Sequence, residues 1–240
     1  PIGKVAQLLI FGANVVSVKG DYRQTFELSK AAIEKWGFYN RNAGINPVMT
    51  EGKKTVALEI AEQLSWNPTD WVAISVGDGC TIGGVYNGFY DLFQLGMIDR
   101  IPRILGVQST GCSPFVDADA NGGELVPTPE NTLADSIAGG VPRNPVKAQR
   151  AVKDSGGAWI AVSDDEILDA MRLLGRTEGV FGEPAGVTAT AGVKAAVARG
   201  IIKSNESVTV VSTGSGLKDV KNAMAAAGEP FQCEPDIKAL

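Results

Sequence analysis

The chain has 240 residues, 44% of them apolar and 20% charged, with a formal net charge of −5. It is long enough to bury a real core and has the make-up of an ordinary soluble globular protein. The acidic balance and the lack of a Lys/Arg cluster argue against a nucleic-acid surface, and the absence of histidine excludes Ser-His-Asp and Cys-His nucleophile systems and the usual histidine-bearing zinc sites.

No run of eighteen apolar residues and no signal peptide points to a membrane or to export. Cys80, Cys112 and Cys233 are an odd number at wide spacing, which reads as reduced cytoplasmic thiols rather than a disulfide frame. Chemistry must come from carboxylates, a lysine, a cysteine or a cofactor, and no metal site is expected.

Taken in order, Val5, Leu8, Leu9 and Gly12 share one helical face. A strand is expected at Asn14–Val18, then a helix over Tyr22–Trp36 that buries Phe26, Ile33 and Trp36, then a short strand at Phe38–Asn40. Residues 1–42 read as the remainder of a small α/β domain entered partway, and residues 43–240 as a larger α/β domain. In the latter, Ala57, Ile60, Ala61 and Leu64 form a helix face that leads through Asn67-Pro68 into an almost continuous apolar run, Trp71 to Val76. Such a run suits a parallel strand covered on both faces. Gly77 and Gly79 interrupt it. Ile82, Val85, Tyr86, Phe89, Leu92 and Phe93 then recur at helical spacing, with Thr81 as the expected N-cap.

Ile101–Gln108 supplies the next strand, followed by a Gly- and Pro-rich loop region, Ser109–Arg143, expected at the surface or facing substrate. A helix at Pro145–Ser155 stops at Gly156-Gly157, and Ala158–Val162 is a strand. Ser163-Asp164-Asp165-Glu166 is a capping box whose helix buries Ile167, Ala170, Met171 and Leu174. Pro184 opens a helix that ends at Gly200. Ser207–Val211 is the last strand, running into Thr213-Gly214-Ser215-Gly216, and a final helix (Leu217, Val220, Met224, Ala227) closes the fold. The alternation predicts an α/β fold with a mainly parallel sheet and helices on both faces.

Strand, glycine loop and helix together make a place for an anion, because a helix start offers unpaired N–H groups and glycine lets a phosphate approach the backbone. Plain turn chemistry is the competing reading. A Walker A loop is excluded, since no Lys-Ser or Lys-Thr follows, and a dinucleotide fingerprint fails because Ile82 stands where its third glycine belongs. In parallel sheets ligands sit beyond the carboxyl ends of the strands. Gly77–Thr81 and Thr213–Gly216 both fall at that edge, so the two loops are expected to frame one pocket.

Several segments occur in an order that resembles the threonine synthase family of fold-type II pyridoxal-phosphate enzymes. They are Asn46-Pro47 with Glu51-Gly52-Lys53-Lys54-Thr55, Val76-Gly77-Asp78-Gly79, Pro102-Arg103 with Gly106-Val107-Gln108, Ser155-Gly156-Gly157, Ser163 to Glu166, Glu178-Gly179 with Glu183-Pro184, and Thr213 to Asp219. The resemblance implies that Gly77, Asp78, Gly79, Cys80 and Thr81 hold the phosphate of pyridoxal 5'-phosphate and that Thr213 hydrogen-bonds its pyridine nitrogen. It implies a lyase converting O-phospho-L-homoserine and water to L-threonine and phosphate, a small amino-acid substrate and a homodimer. The alternatives are β-elimination or β-replacement on a serine-, threonine- or phosphoserine-like amino acid, or a non-catalytic module that binds a phosphate-bearing ligand.

The family's early Ser-x-Lys-Asp and Ser-Gly-Asn segments do not occur here. The Schiff-base lysine is therefore expected upstream of Pro1 and no catalytic residue is assigned; Lys4, Lys53, Lys54 and Lys218 are expected in structural or solvated roles. Where the family tends to have Asn-Pro-Tyr-Arg, this chain has Asn46-Pro47-Val48-Met49, and the loss of an arginine able to meet a phosphate is not conservative. Asp78, an acid in a phosphate loop, is expected to turn its side chain away onto backbone amides. Glu183 reads as a helix-start feature, and Cys80 as a residue small enough for the turn.

Overall fold

A computed structural model describes residues 2–235 and 237. Two helices, α1 (Ile2–Ile10) and α2 (Tyr22–Trp36), precede the rest. Next come α3 (Pro47–Glu51), α4 (Lys54–Gln63), β1 (Trp71–Ser75), α5 (Cys80–Gln94), β2 (Arg103–Ser109) and α6 (Pro114–Ala120). The remaining elements are α7 (Pro145–Asp154), β3 (Ala158–Val162), α8 (Asp164–Thr177), α9 (Pro184–Ala198), β4 (Val208–Val211) and α10 (Val220–Ala227), with short 3-10 turns at Asp135–Ile137 and Gly216–Asp219.

Among the described residues four strands form one parallel sheet in the order β3-β2-β1-β4. Trp71 of β1 lies opposite both Arg103 of β2 and Val208 of β4. Successive β1 side chains alternate between two cores. Trp71 and Ala73 join one with α8, α9 and α10, including Ile167, Met171 and Val187. Val72, Ile74 and Val76 join the other with α4, α5, α6 and α7, including Phe89 and Phe115. Burial on both faces is what an uninterrupted apolar strand predicts, and the expected parallel sheet wrapped by helices is borne out.

Local signals set most helix starts. Ser163 and Glu166 form the expected reciprocal capping box on α8, Asp21 and Gln24 form another on α2, and Pro47, Pro145 and Pro184 open α3, α7 and α9. On α8, Ile167, Ala170 and Met171 are buried and Leu174 packs at the margin of the core.

Three expectations are corrected. Residues 14–18 and 38–40 are irregular rather than strands, because a strand is stable only beside a partner and the described sheet runs elsewhere. Trp36 is exposed, and neither α1 nor α2 buries a described residue. The N-cap of α5 is Gly79, not Thr81: its left-handed backbone (φ 84°) turns the chain into the helix two residues early. The loop-rich region 109–143 also carries α6 and a 3-10 turn, and the closing helix starts at Val220, with Leu217 in the 3-10 turn before it; Ala226 is buried, while Leu217, Val220 and Met224 are exposed.

Candidate active site

Both glycine loops open onto a cavity of about 530 Å³, lined among others by Gly77, Asp78, Gly79, Cys80, Thr81, Ser136, Glu183 and Thr213. That volume lies in the usual range of small-molecule sites, roughly 300–1,000 Å³. All six residues singled out in the sequence are thus brought to one space.

The first loop leaves β1 after Val76, whose N–H donates to Val107 O at 2.8 Å and prolongs the strand pairing. Its glycines are needed for close approach. A Cβ on Gly77 would stand 2.9 Å from Ile137 Cα, and one on Gly79 would stand 2.7 Å from Ala148 Cβ and 3.0 Å from Asn144 O. Among the described residues no side chain caps the first turn of α5, so its N–H groups stay available at the cavity wall. This uncapped helix start in a loop without Cβ atoms suits a phosphate.

The second loop is fixed from behind. Glu183 N–H donates to Gly214 O at 2.8 Å, Gly216 N–H donates to Phe181 O at 2.9 Å, and Thr213 N–H reaches Gly186 O at 3.3 Å. Glu183 itself is buried. Its carboxylate lies 3.4 Å from Lys4 Nζ, and that amine donates to Ser136 Oγ at 2.6 Å and lies 3.6 Å from Asp135. A buried carboxylate needs such a partner.

The Asp78 side chain bonds two other side chains rather than the backbone amides expected from sequence. Arg143 Nη1 donates to Oδ1 at 2.9 Å and Tyr22 Oη donates to Oδ2 at 3.2 Å. Partial burial, and next the Asp78 charge, push the Tyr22 phenol above its ordinary value. Cys80 is buried, with Sγ 3.3 Å from Thr50 Oγ1.

The lysines divide. Lys53 lines the cavity with Nζ donating to Met49 O at 3.1 Å. Lys54 is held at 2.7 Å by both Asp91 and Glu51, and the hydrogen bond to Asp91 raises its pKa. Lys218 lines a different pocket, beside α1 and α10. Met49 takes the Arg41 Nε–H on its sulfur at 3.3 Å.

Sequence reading did not single out Arg143, Tyr22 or the Asp135–Gly139 segment that overlies Gly77. Gln108 was read only as part of a strand and of one family-like segment, with no role of its own. Its buried amide accepts from Phe115 N–H and Val116 N–H at 2.8 and 3.2 Å and donates to Val76 O at 3.3 Å, tying the first loop to α6. A polar residue closing an apolar strand was the one available signal.

Residues 1–214 match the family of pyridoxal-phosphate dependent enzymes. The chain belongs to that family. Its cofactor is therefore pyridoxal phosphate, and the uncapped cradle at Gly77–Thr81 with a hydroxyl-bearing loop opposite suits that group. The chain is 38% identical over 242 residues to threonine synthase from Methanocaldococcus jannaschii, covering 100% of this chain and 59% of that protein. It is 36% identical over 241 residues to threonine synthase from Methanosarcina acetivorans, with coverage of 100% and 59%. With the Mycobacterium tuberculosis threonine synthase it shares 37% identity over 223 residues, 93% of this chain and 60% of the other.

The chain thus spans about 60% of the length of these relatives. Among solved structures, the processed form of threonine deaminase isoform 2 from Solanum lycopersicum matches with a TM-score of 0.78 at 22% identity, covering 94% of this chain and 62% of that one. Maize serine racemase matches with a TM-score of 0.73 at 22% identity, with coverage of 95% and 67%. At such identities the likeness concerns the fold. No helix among the described residues is long and apolar enough to cross a membrane.

Proposed function

We propose that this chain forms the cofactor-phosphate portion of a threonine synthase-like lyase that converts O-phospho-L-homoserine and water to L-threonine and phosphate. The observation that carries the reading is the shared lining of one cavity by Gly77–Thr81 and Thr213, joined to the similarity to threonine synthases. The backbone N–H groups of Gly77, Asp78, Gly79, Cys80 and Thr81 bind the phosphate, and the Thr213 hydroxyl bonds the pyridine nitrogen. When bound, pyridoxal phosphate supplies the electron sink for proton removal next to the amino group. A neutral hydroxyl cannot protonate the ring nitrogen as a carboxylic acid would, which moderates that sink and suits chemistry at the β- and γ-positions. Glu183 holds the Thr213–Gly216 loop in place, and its charge is compensated by Lys4.

No lysine of this chain is assigned the Schiff base. Lys4 is paired with Glu183 and Lys53 with Met49 O, so the reading expects that lysine from outside these 240 residues. Residues 1–42 belong to the small domain of the complete enzyme and residues 43–240 to its large domain. The enzyme is a cytoplasmic homodimer acting on a small amino acid.

Met49 favours a second reading, β-elimination or β-replacement on a serine-, threonine- or phosphoserine-like amino acid. A thioether offers no charge-assisted, bidentate grip on a phosphate. A non-catalytic module that binds a phosphate-bearing ligand remains the third.

The test titrates the chain with pyridoxal 5'-phosphate and with pyridoxal, and treats each complex with borohydride. Phosphate-dependent binding without a reduced lysine adduct is expected. Equal affinity for the two ligands would remove the phosphate cradle, and a stable adduct on Lys4 or Lys53 would reassign the Schiff base. Joining the missing family segment and screening phosphohomoserine, threonine and phosphoserine separates the lyase readings, and turnover of none of them leaves the module.

A further inference from the structure

The loop assigned to the phosphate carries a carboxylate, a like charge that should repel its ligand. We infer that Arg143, clamped by Tyr22 and Phe26, is the positioning residue that lets this acidic loop hold an anion. The inference rests on the proposed phosphate site and adds the group that governs its affinity.

Three features support it. First, both carboxylate oxygens of Asp78 are engaged by side chains, Oδ1 by Arg143 Nη1 at 2.9 Å and Oδ2 by Tyr22 Oη at 3.2 Å. Second, the guanidinium is held in place. Its carbon lies 4.5 Å from the Tyr22 ring centre and 4.1 Å from that of Phe26, and the Asp78 and Arg143 side chains are only 20% and 12% exposed. A planar, permanently charged group stacked on rings in poor contact with water keeps its orientation and is weakly screened. Third, the neighbouring residue grips the same loop through the backbone, with Asn144 N–H donating to Asp78 O at 2.9 Å.

Short acidic side chains readily bond nearby backbone N–H groups. Without Arg143 the Asp78 carboxylate is free to take the amides of its own loop, which removes donors and brings negative charge to the site where the phosphate would bind. With Arg143 in place the charge is offset and the amides stay open. Helix α2 thereby reaches the cavity without contributing a ligand.

Isothermal titration of the 240-residue chain with pyridoxal 5'-phosphate, and with inorganic phosphate as the simpler probe, tests this in a mutant cycle of R143M, D78N and D78N/R143M. R143M is expected to weaken binding by about tenfold or more, from a juxtaposed like charge. D78N/R143M is expected to regain most of that loss, since an amide carries no charge to offset. R143K is expected to fall between, because an ammonium keeps the charge but lacks the planar fork. If R143M does not fold, Y22F against Y22F/D78N reads the same coupling. A double variant that binds no better than its single parent, or R143M binding as tightly as the natural chain, would overturn the inference alone. A natural chain with no phosphate-dependent affinity would instead overturn the phosphate site, and this inference with it.

Discussion

Gly214 lies against the Glu183 carboxylate so closely that any Cβ on it would overlap Oε1. The same pair is joined through the backbone by the 2.8 Å bond from Glu183 N–H to Gly214 O. The loop after β4 is therefore set by the start of α9. G214A is expected to destabilise the fold by about 1–3 kcal/mol, the cost of overpacking, and to reduce affinity for pyridoxal 5'-phosphate. Urea unfolding and ligand titration of the same variant check both.

A second prediction concerns Gly79. An alanine there must adopt a φ of 84° and place its Cβ against Ala148 and Asn144 O. The left-handed backbone alone costs about 1–2 kcal/mol. Thermal melts should show the loss, and phosphate-dependent binding should fall because the first turn of α5 moves.

Asp164 gives a third. Besides opening α8, its carboxylate accepts from Ser109 Oγ at 3.2 Å, Thr132 Oγ1 at 2.6 Å and Leu133 N–H at 3.0 Å. It thus anchors the segment that leads to the turn over Gly77. D164A leaves partly buried donors unsatisfied, at about 1–3 kcal/mol, and is expected to speed amide exchange in residues 132–139.

The pH dependence of stability gives a fourth. Glu206 accepts from Lys203 N–H, pairs with Arg103 at 2.7 Å and accepts from Trp71 Nε1. Led by the Lys203 amide, these bonds bring its pKa from 4.5 to about 2. A carboxyl depressed on folding stabilises the fold above its unfolded pKa and loses that contribution as pH falls through the folded one. Denaturation of E206Q beside the natural chain is expected to show a constant gap at neutral pH that narrows from 4.5 downward and closes near pH 2. A gap that widens in acid would refute the assignment.

Thiol reactivity gives the last. Cys233 is exposed and Cys80 and Cys112 are buried, and burial raises the Cys112 pKa. One fast and two slow thiols are expected with a chromogenic disulfide, and pyridoxal 5'-phosphate should slow Cys80 further because that residue lines the cavity. Labelling of Cys80 unchanged by the ligand would remove it from the site.

Much of the large α/β unit was legible from sequence because apolar period and capping agreed locally. Trp71–Val76, Ser163–Glu166 and Pro184 each announce one element, and all three stand where read. The first 42 residues misled because the reading inferred strands from local apolar runs, while a strand exists only by pairing. The Asp78–Arg143 contact spans 65 positions and leaves no periodic trace. Thr81 lost the cap to Gly79 because backbone freedom outweighed the usual preference for a hydroxyl.

The two glycine loops hang from strands of unequal standing. β1 is flanked by β2 and β4 and is buried along Trp71–Ile74, whereas β4 ends the described sheet and is half-buried throughout. Local opening is easiest where fewest neighbours hold the chain. The Gly77 loop therefore hangs from the strand that is paired on both sides, and the Thr213 loop from one paired on a single side that relies on its bonds to Phe181, Glu183 and Gly186 to stay in place.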